Sequence, residues 1–237
     1  MKSFTRALDL STLVGKGDLK VSVILLGAAI LPAIQRCWGS MEFWARTFGA
    51  SGDVRAPLFM FCTTFLSMGL IPLLVVRYLF HESPRQYGLR LGNWKLGSLS
   101  TIVLAPIIAI ALLYPASQTS EMRSFYPFAQ TAMTSWLDFL LLELPRVIVF
   151  YTAWEFFFRG FILFGLERQF NAWPALCIQV IPQCLWHIGM PTGELLSSIA
   201  GGLLFGLMAL RTRSIVWPWI LHCFIGICTD LMIILTQ

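Results

Sequence analysis

Apolar runs of about the length that crosses a bilayer recur along the chain, each closed by a short polar connection. They fall near 21–36, 56–79, 98–116, 147–166, 172–189, 195–210 and 215–235. Wound as α-helix, about 20 such residues match the ~30 Å hydrocarbon core. The two-residue alternation of a membrane barrel strand is absent. Helices satisfy their backbone hydrogen bonds internally, so every span is predicted helical. A shorter apolar piece, TSWLDFLLLEL at 134–144, carries Asp138 and Glu143 and runs into Pro145. It reads as an interfacial helix or half-span ending at the proline. The pattern predicts an all-α, polytopic transmembrane bundle of about seven spans, or eight if that piece crosses.

Composition supports this and adds direction. The chain is 57% hydrophobic and 12% charged, with a mean hydropathy of +0.73. Soluble domains carry about twice that charge and cannot hide so much apolar surface. Eleven basic residues fall on one side of the predicted membrane: Lys2, Arg6, Lys16, Lys20, Arg77, Arg85, Arg90, Lys95, Arg168, Arg211 and Arg213. Five fall on the other: Arg36, Arg46, Arg55, Arg123 and, at the edge of that group, Arg146. The asymmetry predicts a cell-membrane protein with a cytoplasmic N-terminus and, after seven crossings, an external C-terminus. The net charge of +5 is this bias; no basic stretch interleaves with aromatics, so nucleic acid is excluded as a partner. The first 20 residues are too polar for a secretory signal, and the first span reads as a retained anchor. Six cysteines sit mostly inside spans without a CxxC, and are expected to be small buried hydrophobes.

The chain divides into a cytoplasmic segment (1–20), a plainer front part (21–132) with a cytoplasmic loop at 81–97, and a more polar back part (133–237). In the back part three spans each carry a polar row at helical spacing. Glu155 and Arg159 lie on the fourth span, Gln179, Gln183 and His187 on the fifth, and His222, Gly226 and Asp230 on the seventh. Polar groups at such depth face a bundle interior or a wet cavity, and three rows predict one shared cavity. At about 1.5 Å per residue, Glu155, His187 and Asp230 come out roughly 20–24 Å from the cytoplasmic helix ends, and His222 roughly 12 Å. Glu155, His187 and Asp230 are therefore expected to converge, with His222 nearer the cytoplasmic mouth. On the sixth span Ser198, Gly202 and Gly206 form a ridge of small residues suited to close helix packing. Pro182 is expected to kink the fifth.

The stretch EFFFRG, a downstream intramembrane histidine and then PWILH resemble the CPBP family of intramembrane proteases. That family includes the type II CAAX prenyl endopeptidases and bacteriocin-processing or self-immunity proteins. Its marks are EExxxR, FxxxH and HxxxN on three helices, and the resemblance covers about the last hundred residues. Three positions depart from it. Trp154 stands at the first glutamate, Gln183 at the aromatic before His187, and Gly226 at the asparagine after His222. Asp230 lies one turn beyond and is expected to replace that polar group.

The resemblance implies peptide hydrolysis by an activated water within the bilayer. Glu155 would serve as base and then acid, and His187 would share the water or protonate the leaving amine. His222 would donate to the oxyanion, and Arg159 would hold Glu155 ionised. Substrates implied are membrane-delivered peptides or proteins, of prenylated or secreted-peptide type, with membrane lipids as surroundings. Zinc is the competing account, with Glu155, His187 and His222 as its ligands. No HExxH occurs and Arg159 beside Glu155 disfavours a cation, so the reading without metal is preferred. Two other classes stay open: an inactive scaffold that binds membrane proteins or lipidated peptides, favoured by Trp154, and a transporter or proton relay. Against transport, no matching pair of broken helices marks two halves.

Overall fold

The computed structural model describes residues 18–50 and 52–236. Residues 1–17 of the segment read as cytoplasmic, with Lys2, Arg6 and Lys16, lie outside these. Among the described residues the chain is helical, without strands. The helices are α1 (Asp18–Trp38), α2 (Met41–Phe48), α3 (Arg55–Leu79), α4 (Trp94–Ser117), α5 (Ser120–Phe125), α6 (Trp136–Phe170), α7 (Ala172–Trp186), α8 (Thr192–Thr212) and α9 (Val216–Leu235). Six segments are long and apolar enough to cross a membrane: α1 with α2, α3, α4, α6, α8 and α9. Their outer faces expose Leu26, Ile102, Ile110 and Leu137, an apolar surface suited to lipid. The chain is a multi-pass membrane protein.

The fifth predicted span, 172–189, is a helix of only 15 residues, α7. It stops at Trp186 because the chain turns through His187, Gly189 adopts a positive φ, and Pro191 follows. The piece at 134–144 is corrected more strongly. It is neither an interfacial helix nor a separate half-span, but the first part of the 35-residue α6. Pro145 does not end the helix; the turns just after it, Arg146–Tyr151, widen to π type. Such a widening accommodates the lost N–H and the ring's clash with the preceding turn.

α6 is the central element. Every residue from 153 to 166 is buried, which an apolar helix reaches only when neighbours cover all its faces. Gly160 lets the loop approach it, since a Cβ there would lie 2.9 Å from the Tyr87 carbonyl oxygen. That loop is docked. Asn93 donates its N–H to the Thr212 carbonyl, Ile215 donates to Gly88, and the Trp217 indole donates to Leu91. At its start Glu82 accepts from Lys20 at 2.7 Å and from the Tyr87 hydroxyl at 2.5 Å.

α7 packs closely on α8 along the small-residue ridge. A Cβ at Gly206 would overlap Leu176, and one at Gly202 would press on Val180 and Gln183. The expected polar row on α7 is spent partly here. Gln179 and Gln183 donate to the carbonyls of Gly202 and Ser198, at 2.9 and 3.2 Å. All six cysteines are free, but only Cys223 is buried; Cys37, Cys62 and Cys177 are exposed, contrary to the expectation of buried positions.

Candidate active site

Glu155 and Arg159 sit on the fully buried stretch of α6, both at 0% side-chain exposure. Arg159 Nη1 donates to Glu155 Oε1 at 3.3 Å, and its Nε lies 3.3 Å from Oε2. The guanidinium also stands 5.2 Å from the Phe205 ring of α8. His222 on α9 brings Nδ1 to 2.7 Å from the same Glu155 Oε1. A carboxylate oxygen beside imidazole Nδ1 places the proton on Nδ1, so Nε2 is left with its lone pair. His222 is 21% exposed, whereas Glu155 is sealed.

His187 caps α7 and is half-buried. Its Nδ1 lies 2.8 Å from the Gln183 carbonyl, which only accepts, so this ring too presents a bare Nε2. Trp154 joins the two histidines. Its ring is edge-on to His187 at 5.6 Å and to His222 at 6.2 Å, and Trp186 closes another side at 5.5 Å. Tyr151 lies over His222 with ring centroids 4.2 Å apart.

Asp230 does not join this group. Its Oδ2 accepts from Arg146 Nη1 at 2.9 Å, and the same nitrogen donates to Glu143 Oε1 at 3.0 Å. The expected convergence of Glu155, His187 and Asp230, with His222 set apart, is therefore corrected. α6 and α9 run antiparallel, and His222 is the residue that meets Glu155. α6 widens to π type over Phe156–Phe164, where a constant α-helical rise does not hold.

Residues 136–228 match the family model described as Type II CAAX prenyl endopeptidase Rce1-like. This stretch is similar to that family. Searches of curated proteins and of solved structures found no match. The matched stretch runs from the start of α6 into α9 and contains Glu155, Arg159, His187 and His222. Asp230 lies just beyond it.

The donor set around Glu155 disfavours a metal ion. Among the described residues no three His, Cys, Asp or Glu side chains are grouped as a metal site requires. Glu155 Oε1 is already taken by Arg159 and His222, and the buried guanidinium repels a cation. Sequence reasoning missed Trp154 and Tyr151 as neighbours of the histidines, and Glu143 and Arg146 as partners of Asp230. For the last pair a signal existed. Glu143 and Arg146 are three apart, which places them together on a continuous helix.

Proposed function

We propose that the chain is an intramembrane endopeptidase of the CAAX-processing type, in the cell membrane with its N-terminus cytoplasmic. The observation that carries this is the contact of His222 Nδ1 with the sealed, Arg159-bound Glu155. It favours a different division of labour from the one the resemblance implied. Glu155, closed to water, orients His222 and stabilises its imidazolium, as the carboxylate of a Ser-His-Asp triad does for its histidine. His222 is the general base.

In this mechanism His222 Nε2 takes a proton from a water held between it and His187. The water oxygen bonds to the peptide carbonyl carbon, and the C=O π pair moves onto the carbonyl oxygen. Collapse of that oxyanion breaks the C–N bond. The leaving nitrogen takes the proton back from His222, so an acid and an amine are released and both histidines end neutral. No metal enters any step.

The family description supports a prenylated peptide as the first substrate class to try. An apolar groove of about 460 Å³ supports it further, lined by Leu25, Ala28 and Pro32 of α1 and by Ile178, Pro182 and Trp186 of α7. Trp186, part of its lining, packs on Trp154.

The test is cleavage by the purified full chain in nanodiscs of a peptide library that includes farnesylated C-a-a-X termini. Glu155→Gln and His222→Ala should lower turnover by about a hundredfold or more. A strong chelator should leave the rate unchanged. Normal cleavage by Glu155→Gln would refute the mechanism. A wild type that binds farnesylated peptides but cleaves nothing in the library would favour a scaffold, the reading that Trp154 at the glutamate position supports.

A further inference from the structure

Trp154 is 2% exposed, and its indole Nε1–H is buried without a hydrogen-bond partner among the described residues. Around it stand the rings of Phe150, Phe158, Trp186, His187 and His222. A buried donor left unsatisfied costs about 1–3 kcal/mol, so its retention between two candidate catalytic imidazoles calls for a physical reason. Both imidazoles have committed their Nδ1 protons, His187 to Gln183 and His222 to Glu155. Each then offers the reacting centre an acceptor. A peptide carbonyl that gains negative charge there needs a donor, and neither neutral ring supplies one. Arg159 also carries N–H groups without hydrogen bonds, but they lie against Glu155 and the Phe205 ring.

We infer that the indole N–H of Trp154 is the hydrogen-bond donor to the anionic oxygen formed when water adds to the scissile carbonyl. The inference rests on the peptidase reading above. In that step His222 Nε2 gains the water proton and the carbonyl oxygen gains the π pair. Trp154 donates a hydrogen bond and transfers no proton. A donor held rigid in a dry aromatic box needs no reorganisation as charge develops, the condition under which such bonds act most strongly.

The experiment replaces Trp154 in the full chain by β-(3-benzothienyl)alanine, which keeps the ring shape and puts sulfur where the N–H was. Trp154→Phe is made beside it. Cleavage of the peptide library should show kcat reduced about a hundredfold in the sulfur analogue, with KM and melting temperature near wild type. Wild-type kcat in the analogue overturns the inference, including the case in which Trp154→Phe alone loses activity, because the indole is then only a packing element. A wild type that cleaves nothing removes the peptidase reading and this role with it. An active wild type with an equally active analogue removes the role alone.

Discussion

Arg146 Nη1 lies 2.9 Å from Asp230 Oδ2, bridging two residues 84 apart in sequence. Glu143 shares the same nitrogen, and the guanidinium is walled by the rings of Tyr126, Phe128 and Tyr151 at 5.0–5.6 Å. α6 and α9 are thus joined here, at Glu155–His222, and by the Trp219 indole donating to the Val147 carbonyl at 3.1 Å. Contacts at separate levels fix the rotation of α9 as well as its distance, which one contact cannot do. The Arg146 cluster sets the angle at which His222 meets Glu155.

Removing the guanidinium should be expensive. Arg146→Ala strands two buried carboxylates and should cost about 3–5 kcal/mol. Adding Glu143→Gln and Asp230→Asn should recover much of it. Melting in detergent, followed by tryptophan fluorescence, checks both steps; equal melting of wild type and Arg146→Ala would show that the cluster carries no stability.

Gly226 is fixed by Tyr151. A Cβ at 226 would fall on the Tyr151 hydroxyl and come within 3.0 Å of two ring carbons. Tyr151 cannot retreat freely, because its ring lies against His222. Gly226→Ala should therefore cost about 1–3 kcal/mol in overpacking and lower turnover by displacing His222. Tyr151→Leu in the same chain should restore the melting temperature. Unchanged melting and turnover in Gly226→Ala would mean that the contact relaxes without consequence.

Acid should loosen the docked loop. Burial alone would raise the Glu82 pKa, but hydrogen bonds from Lys20 and Tyr87, with the charges of Lys20 and Arg168, hold it below the ordinary 4.5. A folded pKa below the unfolded one adds stability that is present above the unfolded value and lost as pH falls through the folded one. The melting-temperature gap between wild type and Glu82→Gln should shrink as pH drops from about 6 to about 3. A constant gap would remove Glu82 as a contributor.

The basic residues also make a topological prediction. Arg146 is buried in the bundle, so the external group falls from five to four (Arg36, Arg46, Arg55 and Arg123) against eleven. Reporter fusions after Gly97 and Gln237 should report the cytoplasm and the outside respectively. Both on one side would require another crossing.

The helical bundle was legible because an apolar run of spanning length has to be covered by lipid, and in lipid it has to be helical. The Glu155–Arg159 pair was legible for a similar reason: four residues on a helix is a local distance that tertiary packing hardly alters. Asp230 was misplaced because its partner, Arg146, follows a proline and reads as lying at a helix end. Only the widened turns after Pro145 carry the helix past it. Trp154 stands out in the sequence only as a departure at the family's first glutamate, and Tyr151 not at all, since which ring touches which histidine depends on rotamers and helix rotation that periodicity does not encode.

α7 has a consequence for the lipid around it. Its 15 residues rise about 22 Å, leaving about 8 Å of a typical hydrocarbon core unmatched. Lipid beside such a short helix thins to meet its polar end, at a small cost per ångström. The membrane surface would then dip toward the turn after Trp186, bringing headgroups and water down to His187. The chain would work best in thin bilayers, and thickening the lipid tails would draw water away from the histidines without altering a single protein contact.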